Sequence, residues 1–176
     1  METVPDPLLA ITKLYHFTDK RNLPKILDLG GLWSTRRLKT ANYEFFAGGN
    51  QLSLDQDVST RMDHYVHLCW DRNHHMEYNI RTRDPGIELF YLEINRLILY
   101  EAETRFTPYV ANANDVEKLT VEQAVERKLI DYDALNRRIG SLQDPENQTR
   151  RQKAERTEII VPEFVAMKWI TNFPNG

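Results

Sequence analysis

The chain is poor in the features that announce the common enzyme classes. It has one cysteine, Cys69, so no intrachain disulfide can brace it. It has seven glycines and no Gly-x-Gly-x-x-Gly or Gly-x-x-x-x-Gly-Lys run, which excludes the two familiar phosphate-cradling loops. It has no Gly-x-Ser-x-Gly nucleophile elbow. No apolar run approaches the ~20 residues that span a bilayer. The opening Met-Glu-Thr-Val-Pro-Asp-Pro does not read as a secretory leader. The expectation is a reducing, cytoplasmic setting with no membrane. Neither sign of charge dominates: the net charge is −3. Local basic clusters at Arg36-Arg37-Lys39, Arg137-Arg138 and Arg150-Arg151-Lys153-Arg156 read either as solvated helix faces or, if they converge, as a phosphate-binding rim.

What is present suffices for one domain over residues 1–176, since 41% of residues are hydrophobic. Residues 13–35 read as a strand, a helix and a glycine stop at Gly30-Gly31. Residues 36–60 read as a mobile loop with a short helix, and Gly48-Gly49-Asn50 as a turn. Residues 64–70 alternate as a strand does and lead into a polar loop. Ile87–Ile94 is the strongest strand pattern, introduced by the turn Asp84-Pro85-Gly86. Residues 104–114 read as a loop. Residues 115–150 read as a helical insert, with a helix over Thr120–Arg127, a second over Tyr132–Leu142 and a break at residues 144–148. A short helix over Arg150–Arg156 precedes closing strands at Thr157–Val161 and Val165–Ile170. Strands flanked by helices without regular alternation argue an α+β fold.

His64, His67, Cys69, His74 and His75 hold four of the five histidines and tempt a zinc reading. In a strand, however, His64 and His67 face opposite sides and only His67 and Cys69 share a face, so no metal is expected. In the first strand Leu14, His16 and Thr18 share a face. A histidine and a hydroxyl there suit a polar ligand, although a half-buried, internally satisfied histidine accounts for the same pattern.

Taken in order, several stretches resemble the DarT family of DNA ADP-ribosyltransferase toxins. They are Leu14-Tyr15-His16-Phe17-Thr18, Asn22-Leu23-Pro24-Lys25-Ile26-Leu27 with Gly31-Leu32, and Asp63–Trp70 followed by Asn73 and Met76-Glu77-Tyr78. Glu88–Ile94, Thr107 with Asn112-Ala113, and Gln152–Pro162 complete the set. The middle motif departs from the family's Tyr-Val-Pro-Phe-Tyr-Phe: His67 stands for the proline and Cys69 for the second aromatic. The closing motif offers two glutamates. Glu155 follows an alanine, as the family's does, whereas Glu158 runs straight into Ile159-Ile160-Val161-Pro162. The strand continuation favours Glu158, held at a strand's mouth.

The resemblance implies an ADP-ribosyltransferase-like split β-sheet core with flanking helices, NAD as co-substrate and single-stranded DNA as acceptor. It further implies a toxin paired with a macrodomain antitoxin of the DarG kind. Glu158 would stabilise an oxocarbenium-like ribose and serve as base for the acceptor nitrogen. Arg61 would bind phosphate or orient the acceptor, although an ordinary surface arginine fits its position too. His16 and Thr18 would hold ribose hydroxyls and the nicotinamide end, and Asn22 a phosphate or ribose oxygen, with Gly31 in the same motif. Phe17 and Met76 would pack on the cofactor or in the core. Arg36, Arg37, Tyr43, Phe45 and Phe46 would take the DNA by charge and stacking, or close as a cover packed on its own aromatics. An ADP-ribosyltransferase of RNA or protein, or a non-catalytic nucleic-acid- or NAD-binding module, are the competing readings.

Overall fold

A computed structural model describes residues 7–46, 51–72, 75–83 and 86–174. In chain order the elements are β1 (Lys13–Asp19), α1 (Leu23–Asp28), β2 (Gly31–Trp33), α2 (Thr35–Thr40), α3 (Gln51–Ser59), β3 (Tyr65–Leu68), α4 (His75–Arg83), β4 (Leu89–Asn95), β5 (Arg105–Thr107), β6 (Leu119–Thr120), α5 (Val121–Glu126), α6 (Tyr132–Leu135), α7 (Pro145–Glu155), β7 (Glu158–Pro162) and β8 (Phe164–Ala166). The fold is α+β, with its strands in separate small sheets.

β1 and β4 form an antiparallel ribbon from Lys13↔Asn95 to Asp19↔Leu89. β3, β7, β5 and β6 form a second sheet in that order, and β2 pairs with β8. The ribbon touches the larger sheet at one backbone bridge, where Tyr15 and Cys69 exchange N–H···O bonds of 2.8 Å in both directions. Beyond it the regular ladder stops. The next carbonyl of β3, His67 O, lies 2.9 Å from Nδ1 of His16 instead. The two sheets part here, and the wedge between them becomes the site.

One apolar cluster joins both sides, with Leu14, Leu92, Ile94, Phe106, Ile159 and Val165 all fully buried. β7 lies between β3 and β5, and its first four residues, Glu158 to Val161, are all buried. A strand covered on both faces reads as continuous apolar sequence, so the carboxylate that opens it stands out.

Several elements differ from their sequence reading. Residues 36–60 hold two helices: Ser34 caps α2 by accepting from Arg37 N (3.2 Å), and α3 follows. The Gly48-Gly49-Asn50 turn lies outside the described residues, as does the Asp84-Pro85 part of the next one. The polar stretch after β3 is helical as α4, held to the core by Ile80, which is 1% exposed. The expected loop at 104–114 contains β5, a three-residue strand too short to show a period. α6 ends at Leu135, and Arg137 takes a left-handed backbone (φ 56°) that no continuing helix tolerates. The break at 144–148 is instead the start of α7. Asp144 accepts from Glu146 N (2.9 Å) and Pro145 occupies the first turn, so an Asp-Pro turn signal was an N-cap signal.

Candidate active site

A cavity of about 290 Å³ fills the wedge. β1 gives it His16, Phe17 and Thr18; β3 gives His67; β7 gives Glu158. β2 forms another wall through Gly31 and Trp33, α3 contributes Asp57, and Phe45 and Phe46 cover it. Gly31 is there because nothing else fits. At φ 148° an added Cβ would meet the Val165 carbonyl oxygen at 2.1 Å, so the β2–β8 approach requires glycine.

Glu158 is 7% exposed, and its Oε2 lies 2.9 Å from Nδ1 of His67. β3 and β7 are paired with His67 opposite Ile160, which sets His67 and Glu158 on one face as diagonal neighbours. Nε2 of His67 lies 3.2 Å from Met62 O. Burial works against a charge on His67. Its hydrogen bond with Glu158 and the attraction of Glu158 and Asp57 prevail, and its pKa is pushed up to about 9. His16 behaves oppositely. Burial strips its hydration, the charge on His67 repels a second one, and its pKa falls despite the hydrogen bond to the His67 carbonyl. A neutral His16 donates from Nδ1 to that carbonyl and keeps Nε2 as an acceptor. Burial raises the Asp57 carboxyl, assisted by repulsion from Glu158 and Asp63 and opposed by His67 and by a hydrogen bond with Asn112.

The structure separates the two glutamates. Glu158 lines the cavity, whereas Glu155 ends α7 in an ion pair with Arg151 at 2.6 Å. His16, Phe17, Thr18, Asn22 and Gly31 all come together at the cavity. Asn22 does so in an unforeseen way. Its Oδ1 accepts from Phe46 N (2.9 Å), while its Nδ2 donates to Phe46 O (2.8 Å) and to the Thr18 hydroxyl (3.1 Å). The amide is occupied with the cover rather than held open for a phosphate.

Arg61 is not in the cavity wall. It is exposed, in a left-handed conformation (φ 60°), between α3 and the turn that precedes β3. Met76 belongs to α4, but its side chain lies outside the described residues.

The residues expected to take DNA divide. Phe45 and Phe46 line the cavity; Arg36, Arg37 and Tyr43 do not. The Arg37 guanidinium lies 3.7 Å over Trp33, and that of Arg21 lies 3.7 Å over Phe46. The Lys25 ammonium lies 4.7 Å from the Tyr43 ring. Arg36 bonds Nε2 of His64 at 2.7 Å. Cations and aromatics are thus already stacked on one another around the mouth.

The other basic clusters do not form a rim. Arg151 is 5% exposed and pairs with Asp71 and Glu155. Arg137 pairs with Asp71, and Arg150 with Asp131. Sequence reasoning gave His67 no place in the site: it was weighed against zinc and noted as standing where the related motif has proline. Cys69 is a buried thiol that donates to Tyr15 O, and burial pushes its pKa up. Among the described residues no group of three potential metal ligands occurs.

Solved structures of known proteins share this fold. Thermus sp. 2.9 DarT in complex with ADP-ribosylated ssDNA has a similar fold at a TM-score of 0.68, with 16% identity over 91% of this chain and 79% of that one. The same protein in complex with NAD+ gives 0.64, with 17% identity over 96% of this chain and 81% of that one. Thermosipho africanus DarTG in complex with ADP-ribose gives 0.69 at 16% identity, covering 91% of this chain. This chain spans only 43% of the length of that DarTG chain. No curated protein matches. The shared fold is that of the DarT proteins in these structures. The family model described as "ssDNA thymidine ADP-ribosyltransferase, DarT" matches residues 15–173, and the chain belongs to that family.

Proposed function

We propose that the wedge binds NAD and that the protein transfers ADP-ribose from it to thymidine in single-stranded DNA. The observation that carries this is the convergence of His16 and Glu158, from opposite ends of the chain, on one cavity within a DarT-family fold. Glu158 sits where a buried carboxylate can stabilise positive charge on the ribose as the bond to nicotinamide breaks. Nicotinamide leaves with the bonding electron pair and becomes neutral. The new bond forms from the ribose carbon to thymine N3, the ring nitrogen that still bears a proton. That proton must be taken up, and Glu158 is the base within the cavity. His16, neutral, offers Nε2 to a hydroxyl of NAD, and Thr18 and Phe17 shape the same wall. Asn22 acts through Phe46. Arg61 is assigned to the acceptor strand rather than to NAD, because it lies outside the cavity.

A thymine stacked in a duplex cannot enter such a wedge, which suits a single-stranded acceptor. Phe46, Tyr43 and the arginines about the mouth supply stacking and charge for it. No helix among the described residues is long and apolar enough to cross a membrane. A DNA-modifying toxin of the cytoplasm, answered by a macrodomain antitoxin that removes the modification, is the setting we assign.

The test is mass spectrometry of single-stranded oligonucleotides incubated with the protein and NAD. Transfer to thymidine-containing strands, absent from thymidine-free strands and from duplex, is expected. Modification of RNA or of protein with DNA untouched would move the assignment to those acceptors. NAD binding without any transfer would make the chain a binding module.

A further inference from the structure

We infer that His67 is the positioning residue of the active site, an imidazolium that holds Glu158 ionised and fixed in rotamer for the transfer reaction; this rests on the function proposed above.

Met62 O, the partner of Nε2, can only accept, so Nε2 must carry a proton. The partner of Nδ1 is Glu158 Oε2. If Glu158 is ionised it too can only accept, and Nδ1 must also carry a proton. A neutral ring would satisfy this geometry only by forcing a proton onto the carboxylate. The surroundings decide between the two. Glu158 on β7 and Asp57 on α3 attract a charge on the ring, and Asp63, in the turn before β3, adds to the acidic surroundings of Asp57. His16 on β1 faces the same ring but is itself held neutral and adds no competing cation, and the Cys69 thiol, shifted upward by burial, stays uncharged. The pKa of about 9 for His67 agrees with the geometry.

The backbone fixes the ring as well. The His67 carbonyl accepts from His16, so one residue ties the walls of the wedge together through its main chain and holds the carboxylate through its side chain. His67 occupies the position where the related motif has proline. A proline there could supply neither ring donor. This site therefore carries a charge partner for its glutamate that the motif does not foresee.

The test has two arms. In histidine-labelled protein, ¹⁵N NMR should show both ring nitrogens of His67 protonated at pH 7.5 and titrating near pH 9, with the titration moved to lower pH in Glu158→Gln. In transfer assays, His67→Gln keeps a donor toward Glu158 without charge. Its rate should be about ten- to a hundredfold below wild type at pH 7.5, the scale of one charge-assisted hydrogen bond. The wild-type advantage should shrink as pH rises through 9, because the imidazolium is then lost, while the KM for NAD stays within about threefold. A wild-type to His67→Gln ratio constant from pH 6.5 to 10, or a singly protonated ring at pH 7.5, overturns the inference. Wild-type protein that transfers to no nucleic acid overturns the proposed function instead, and the NMR arm still decides the state of His67.

Discussion

Two pairings of buried charge repay comparison. In the wedge, His67 meets Glu158 on the face of a sheet, beside a cavity. Against α7, the Arg151 guanidinium meets Asp71, Glu155 and the carbonyls of Ala134 and Leu135. Both take charge out of water. The Arg151 knot closes on itself and joins α6, α7 and the segment that follows β3, whereas the wedge pair borders an opening. The burial cost of an ion pair is offset only when its remaining donors and acceptors are satisfied. Closed satisfaction marks structure. Satisfaction that stops at a cavity marks a group held ready for something that enters.

This contrast can be broken experimentally. The largest effect belongs to Glu158→Ala, which should reduce transfer below detection while the protein still melts cooperatively and binds NAD. Retained transfer in this variant, with a dead Glu155→Ala, would move the chemistry to the closed knot. Next comes Arg151→Ala, expected to destabilise by roughly 3–5 kcal/mol in denaturant titration because Glu155 and the Ala134 and Leu135 carbonyls lose the guanidinium and Asp71 is left to Arg137. Per-molecule activity of the folded fraction should remain. A loss below about 1 kcal/mol would show that α7 is held by other contacts.

A subtler effect is pH-dependent stability. The folded pKa of His67 lies above the unfolded value, so its contribution to stability is full below about pH 6.5 and disappears as pH rises through 9. The stability gap between wild type and His67→Gln should therefore narrow over that window in thermal melts. A gap that widens with pH would reverse the assigned charge. Arg61→Ala should cost less than about tenfold in transfer, seen at limiting DNA rather than limiting NAD. A loss of ~10²-fold, the scale of one preorganised charge contact, would mean that Arg61 reaches the reacting atoms when DNA is bound. The smallest change is expected of Arg36→Ala with Arg37→Ala, which should flatten the salt dependence of DNA binding without altering the modified base. An unchanged slope would place the strand elsewhere.

The sequence revealed the ends of the site better than its middle. Glu158 was legible from the closing motif and from the apolar run Ile159-Ile160-Val161 that starts immediately after it, which marks an enclosed strand with a carboxylate at its mouth. His16 was legible from the i, i+2 face it shares with Thr18 only together with the ordered motifs of the family resemblance. His67 was not, because its meaning depends on the pairing of β3 with β7, a register set across 91 residues of chain. The choice left open for the basic clusters could not be made locally for the same reason: Asp71 lies 80 residues before Arg151, and no local pattern announces that the two neutralise one another. β5 and α4 were missed because short, polar elements are carried by their neighbours rather than by their own periodicity.

Asn22 has a kinetic consequence. Its amide imitates a neighbouring strand, bonding both the N–H and the C=O of Phe46. Those two bonds are solvent-exposed, and at roughly 0.5–1.5 kcal/mol each they release without moving any strand. The gap between held and released segments is then small enough for a minor population to exist at rest. Exchange of NAD and escape of nicotinamide would be timed by a side-chain amide rather than by the sheet. The residence time of whatever occupies the wedge becomes a property that one substitution, Asn22→Ala, can shorten while Glu158 and His67 stay where they are.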